Sequence, residues 1–241
     1  MEEKKFLFIW DCDFTISDKH TLFFPATNLF GPEIAKKCQE YDNILYSKGH
    51  EYFLELLKEN KISEETLLKE IDKIPLSPAI EKAFEMIKNN KSKCKVVILT
   101  SNLQLLSEEI MRNMGYSDII DSFIGIRRVE TKPYEYSRVY PNYDNRCQNC
   151  NPNPCKNYTF KEYIEHNNQD YSNYIKIFIC DGGNDLCFAK NLTEKDYVFA
   201  RKGFGFLKRI EKENKRGDIK AHLEVWENGN DLSQHFKTIL D

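Results

Sequence analysis

The chain reads as an α/β protein: a doubly wound parallel sheet with a small helical cap inserted after the first strand. Three observations predict this. Short apolar runs of strand length alternate with amphipathic stretches along most of the 241 residues. The block 18–90 is instead dense in helix formers and nearly free of such runs. Three of the runs end in polar or acidic clusters, the position where parallel sheets carry their ligands.

The first run, Lys5 to Trp10, is bounded by charge on one side and by Asp11-Cys12-Asp13 on the other, as a buried strand would be. Within the insertion, residues 51–57 and 64–71 carry apolar side chains at helical spacing. Ser63 is placed to cap the second of these helices, with Glu64 and Glu65 in its first turn. Pro75-Leu76-Ser77-Pro78 then ends the insertion and returns the chain to the core. Strands are expected at 95–100, 123–126, 175–180 and 197–200, with amphipathic helices at 105–114 and 160–166. Residues 130–156, with Pro133, Pro141, Pro152 and Pro154, form the one long irregular segment. The domain division that follows is a catalytic core of 1–17 and 91–241 and a cap of 18–90.

Composition narrows the function classes. At 41% hydrophobic, 13% aromatic and 30% charged, the chain can bury a sizeable core, which excludes a wholly disordered protein. Lys+Arg 35 against Asp+Glu 38 leaves a net charge of -3, so no basic field recommends nucleic acid or an anionic membrane. No run approaches the roughly 20 apolar residues that span a bilayer, and the start of the chain is too short and too acidic for a secretory signal. A soluble cytoplasmic protein is expected. Cys12, Cys94 and Cys180 lie in or beside apolar runs, where free thiols act as small hydrophobes. The sequence is silent on oligomeric state.

The clusters at the strand ends carry the chemistry. They are Asp11-Cys12-Asp13-Phe14-Thr15, Thr100-Ser101-Asn102 and Asp181-Gly182-Gly183-Asn184-Asp185. Four carboxylates on one rim repel one another unless a cation compensates, and oxygen ligands in that number predict Mg²⁺. A metal beside a free carboxylate suits phosphoryl transfer. Asp11 would attack phosphorus; Asp13 would protonate the leaving alcohol and then deprotonate the water that opens the aspartyl-phosphate. Thr100, backbone N–H groups after the strand and a lysine would hold the remaining oxygens.

These residues, in this order, resemble the four motifs of the haloacid dehalogenase (HAD) superfamily of phosphatases. Ile74 to Pro78, Cys147-x-x-Cys150, Asn153-Pro154-Cys155-Lys156, Asp181 to Cys187, Phe199 to Gly203 and Val225-Trp226 further resemble its phosphoethanolamine/phosphocholine and pyridoxal-phosphate phosphatase family. The resemblance implies a Rossmann-like core with a helical cap and Mg²⁺-dependent hydrolysis of a small phosphomonoester. It implies metal ligation by Asp11, Asp13 through its carbonyl, and Asp181. Asp11 would be the nucleophile and Asp13 the acid/base. Thr100 and Ser101 would bind the phosphate, Lys156 would hold the phosphate and Asp11 by charge pairing, and Asn184 and Asp185 would orient waters or Lys156. A phosphotransferase or mutase on the same scaffold, and a non-enzymatic zinc-stabilised interaction module, are the alternatives.

Other signals are weaker. Cys147, Cys150 and Cys155 are close enough in sequence to bind Zn²⁺, but a fourth ligand is missing from the local spacing, His166 being the nearest histidine. A redox gate beside Lys156 is the other functional reading, and free thiols pinning the loop the structural one. The aromatics Phe23, Phe24, Tyr41, Tyr46, Tyr52 and Phe53 could cage a substrate but are expected in the core. His20 could face the substrate from the cap, although a lone histidine is more often a surface residue; Arg201-Lys202 could reach the phosphate side, with a solvated turn the favoured reading.

Overall fold

The computed structural model describes residues 4–44, 48–128, 136–138, 147, 150 and 155–241, with Arg128 and 136–138 described by their backbone alone. Strand β1 (Lys5–Trp10) is followed by four helices, α1 (Phe23–Phe30), α2 (Pro32–Ile44), α3 (Lys48–Glu59) and α4 (Glu64–Ile71). Next come α5 (Ile80–Lys88), β2 (Cys94–Leu103), α6 (Gln104–Asn113), β3 (Ser122–Arg128) and β4 (Tyr136–Arg138). The chain continues through α7 (Lys156–His166), β5 (Tyr174–Cys180), α8 (Leu186–Ala189), β6 (Tyr197–Arg201), α9 (Gly205–Glu213), β7 (His222–Trp226) and α10 (Gly229–Leu240).

The sheet order is β4-β3-β2-β1-β5-β6-β7. Six strands are parallel, and β4 pairs antiparallel with β3 at one edge. Successive side chains of a strand point to opposite faces, and here both faces are covered. Phe6, Phe8 and Trp10 join Val96, Ile98, Ile177, Ile179 and Phe199 beneath α5, α6 and α10. Leu7 and Ile9 join Val97, Leu99, Phe178 and Val198 beneath α7, α8 and α9. Burial on two faces explains why these strands are continuous apolar runs rather than alternating ones.

Two expectations change. Tyr136–Arg138 pairs with Ile126–Arg128, so the irregular segment contains a short edge strand. β7 went unrecognised as a strand because His222 to Trp226 has no apolar run: it is an edge strand, and Val225 is exposed. Helix α10, also unread, packs on α5 so closely that Gly229 could not carry a Cβ, which would lie 1.9 Å from the Ala79 carbonyl oxygen.

The chain leaves and re-enters the sheet region through one doorway. Asp18 N–H donates to the Pro75 carbonyl (2.7 Å), Ser77 N–H to that of Ile16 (2.9 Å), and Ser17 bridges Leu76. Helices α1–α4 lie between these two passages. Ser63 caps α4 as expected, its hydroxyl accepting from Thr66 N–H at 3.1 Å. Helix α5 lies beyond the doorway, with Phe84 stacked on Trp10 of β1 at 4.6 Å.

Candidate active site

Because β1, β2 and β5 run parallel and adjacent, their carboxyl ends meet at one edge. Asp11 follows β1 directly, and its N–H donates to the Ile179 carbonyl at 3.0 Å. Asp181 follows β5. Thr100 and Ser101 lie near the end of β2, just past the Trp10–Ile98 register pair. Clusters about 80 or more residues apart in sequence are thereby brought to a common rim.

Lys156, the first residue of α7, reaches into this rim. Its Nζ lies 2.6 Å from Asp11 Oδ1 and 2.7 Å from Asp185 Oδ1, and all three side chains are buried. Asp185 also accepts from Gly182 N–H at 2.9 Å, closing the turn after Asp181. Asp11 Oδ1 takes a further hydrogen bond from Cys12 N–H (2.8 Å), and Thr15 Oγ1 donates to Asp181 Oδ1 (3.5 Å). Carboxylate oxygens of Asp11, Asp181 and Asp185 lie within 4.8 Å of one another.

Three buried carboxylates against one ammonium leave uncompensated negative charge, and the proton affinities show it. Burial pushes the Asp11 carboxyl up to about 7, with Lys156 pulling down and Asp185 and Asp13 pushing further up. Burial, then Asp11 and Asp185, raise Asp181 well above the usual carboxylate range. Burial works to discharge Lys156, but Asp11 and Asp185 outweigh it and hold the amine charged. An all-oxygen set with surplus negative charge fits a hard divalent cation such as Mg²⁺.

Asp13 faces away from this trio, toward the helical insertion. Its Oδ1 accepts from Thr21 N–H (2.6 Å) and its Oδ2 from Asn102 Nδ2 (3.3 Å), with His20 Nε2 at 3.9 Å. Burial acts to raise its pKa, but His20 and the Thr21 N–H prevail and hold it below the ordinary value. His20 stacks on Phe23 at 3.8 Å, and burial lowers its own pKa against the pull of Asp13.

Thr100 Oγ1 accepts from Asn102 N–H (3.1 Å), which orders the end of β2. Asn184 sits against Gly182: a Cβ on that glycine would lie 2.4 Å from Asn184 Oδ1. Among the aromatics weighed for a cage, Phe53 is buried, and Phe23, Phe24 and Tyr52 pack on the core. Tyr41 meets Tyr52 edge-on with Lys37 over both rings. Tyr46 lies outside the described residues.

Arg201 corrects an expectation. It is buried at the end of β6, donating through Nη1 to the Phe14 carbonyl and through Nη2 to Asp18 Oδ1, both at 2.6 Å. Phe204 and Trp226 flank its guanidinium. Phe14 has φ +54°, a left-handed conformation that a side chain makes costly, so Arg201 clamps a strained turn between Asp13 and Thr15. Only Lys202 is exposed, paired with Glu227. The preceding apolar strand, Tyr197 to Ala200, was the signal that could have drawn Arg201 inward.

His50 and Asp42 were not singled out as site residues, and Asn102 was read only as the last member of the strand-end cluster Thr100-Ser101-Asn102. His50, buried in α3, approaches Asn102 Oδ1 through Nε2 (2.9 Å) and Asp42 Oδ2 through Nδ1 (3.3 Å). A histidine on the buried face of an amphipathic helix was the available signal.

The "Putative Phosphatase" family model matches residues 6–240. Human pyridoxal phosphate phosphatase PHOSPHO2 is 24% identical over 191 residues, covering 76% of this chain and 77% of its own. Human phosphoethanolamine/phosphocholine phosphatase is 21% identical over 245 residues, covering 98% and 90%. Among solved structures, a phospho-aspartyl intermediate analogue of phosphoserine phosphatase superposes with a TM-score of 0.63 at 16% identity, covering 97% of this chain and 99% of that one. An apo phosphoserine phosphatase gives a TM-score of 0.62 at 16% identity, with 96% and 99% covered. The sheet follows the phosphoserine phosphatase fold, and with the family model spanning nearly the whole chain the protein belongs to this phosphatase family.

Proposed function

We propose that this protein hydrolyses a small phosphomonoester through an aspartyl-phosphate on Asp11, with Mg²⁺ as cofactor. The observation that carries the reading is Lys156 held between Asp11 and Asp185, with Asp181 alongside. Lys156 neutralises one Asp11 oxygen and orients the carboxylate, leaving the other oxygen to attack phosphorus. Asp13, anchored by Thr21 and Asn102, protonates the departing alcohol and later takes a proton from the water that opens the acyl phosphate. An incoming phosphate dianion adds negative charge beside Asp13 and raises its proton affinity, which favours the acid role. The Thr100 hydroxyl and backbone N–H groups near Ser101 bind the other phosphoryl oxygens. Asp11, Asp181 and the Asp13 carbonyl would hold Mg²⁺, which when bound screens the dianion from the nucleophile and stabilises charge on the phosphoryl oxygens.

Helices α1–α4, entering and leaving through one doorway, act as the cap over this rim. The cap is then somewhat shorter than 18–90, because α5 packs with the core. The eight free thiols suit a reducing compartment, so we place the protein in the cytoplasm. Among the described residues no helix is long and apolar enough to cross a membrane.

Substrate class follows the relatives' names: pyridoxal phosphate, phosphoethanolamine and phosphocholine are the first compounds to test. Asp11→Asn should cut Mg²⁺-dependent turnover of an aryl phosphate by about a thousandfold or more while preserving the circular dichroism spectrum. Turnover retained by that variant would end the assignment. Phosphate release unaffected by added acceptor alcohols separates hydrolysis from phosphotransfer.

A further inference from the structure

Away from the carboxylates lies a second group of potential metal ligands. The sulfurs of Cys147, Cys150, Cys155 and Cys187 all lie within 4.8 Å of one another. Cys187 Sγ is 3.5 Å from that of Cys147 and 3.4 Å from that of Cys155. A disulfide needs about 2.05 Å, whereas sulfurs at the corners of a tetrahedron with a Zn–S distance of about 2.3 Å stand about 3.8 Å apart. We propose that these four cysteines bind one structural Zn²⁺ ion.

The fourth ligand that local spacing could not supply is Cys187, forty residues after Cys147. His166 is not part of the cluster. Three separate segments build the site. Cys150 N–H donates to the Cys147 carbonyl at 3.1 Å, which holds these two cysteines together. Cys155 occupies the N-cap position of α7, where the helix N-terminus favours a thiolate. Cys187 lies in α8.

Chemistry selects the ion. Four thiolates are soft ligands with tetrahedral preference, suited to Zn²⁺ and poor for Mg²⁺, so the two metal sites do not compete. Binding releases a proton from each thiol and leaves a net charge of about −2 on the site. Lys190 and Lys215 line the same surface depression as Cys187.

The position gives the site a purpose. Cys155 immediately precedes Lys156, and Cys187 follows Asp185 by two residues. One ion tying Cys155 to Cys187 therefore fixes, from behind, the two segments that supply the Lys156–Asp185 contact. A closed four-ligand site of this kind contributes folding energy rather than reacting with substrate.

Elemental analysis of the full chain, purified without added metal, tests this independently of any phosphatase assay. One zinc per chain is expected, retained through dialysis against EDTA and released when a mercurial blocks the thiols. The double variant Cys147→Ser/Cys187→Ser should carry at least about tenfold less zinc, whereas Cys94→Ala, whose buried thiol lies outside the cluster, should keep it. Should the double variant fail to fold, Co²⁺ substitution of the wild-type chain decides through the intense absorption of tetrahedral cobalt thiolate. The proposal is overturned by wild-type protein without zinc, by a disulfide among the four, by iron in zinc's place, or by undiminished zinc in a folded double variant.

Discussion

His50 Nε2 lies 2.9 Å from Asn102 Oδ1, and through that contact a helix of the insertion is bonded to the end of a central strand. Asn102 Oδ1 also accepts from Leu103 N–H, while Nδ2 donates to Thr21 Oγ1 and Asp13 Oδ2. The order Asp42, His50, Asn102, Asp13 is thus a continuous polar path running from α2 to the residue placed as acid and base. Each link spans a different element, so loosening one end should be felt at the other.

Replacing His50 by Ala is expected to lower stability by about 1–3 kcal/mol, because Asn102 and Asp42 lose a buried partner. Turnover should fall more than substrate affinity, since Asp13 loses its orientation through Asn102. Urea denaturation together with steady-state kinetics checks both; a His50→Ala enzyme with normal stability and kcat would show that the path carries nothing.

Lys156→Met removes the one ammonium from a nest of buried carboxylates. Breaking a buried ion pair in this way costs about 3–5 kcal/mol, and the metal-free variant should unfold at markedly lower urea than the parent. Added Mg²⁺ should stabilise the variant more than the parent, because the cation then supplies the missing compensation. Urea titrations with and without Mg²⁺ compare the two.

A pH dependence follows from the raised carboxyls of Asp11 and Asp181. Without metal, folded Asp11 holds a proton that the unfolded chain has released, from about pH 4 up to about pH 7, and Asp181 acts in the same direction. Their contribution to stability is present at low pH and lost as pH rises through the folded values. In EDTA, the urea midpoint should therefore fall between about pH 5 and about pH 8, and saturating Mg²⁺ should help most at the upper end. Asp11→Asn should flatten the EDTA profile and raise its alkaline end above wild type.

Arg201→Met strips the Phe14 carbonyl and Asp18 of their shared donor. A loss of about 1–3 kcal/mol is expected, with reduced kcat as the strained turn carrying Asp13 relaxes. Asp18→Asn should cost less, because the Asp18 side chain is partly exposed and the Phe14 contact survives. Calorimetric midpoints for the two variants give the ranking.

What the amino-acid order determined by itself was local. Burial on both faces makes β1, β2, β5 and β6 continuous apolar runs, Ser63 caps its own helix, and the polar clusters directly follow their strands. Parallel pairing then makes strand ends converge, so Asp11, Thr100 and Asp181 could be read as one rim. Edge strand β7 lacked that apolar signature and was invisible to the same reasoning.

Only the tertiary structure decided the partnerships made across distance. Arg201 reaches Phe14 across 187 positions, and Cys187 joins Cys147 across 40. Neither of these pairs leaves a periodic trace, because a single buried charge or thiol needs one partner in space rather than a repeated pattern along the chain. Burial makes such partners obligatory, since an uncompensated charge away from water is too costly to keep. Which residue fulfils that demand depends on how helices pack against the sheet.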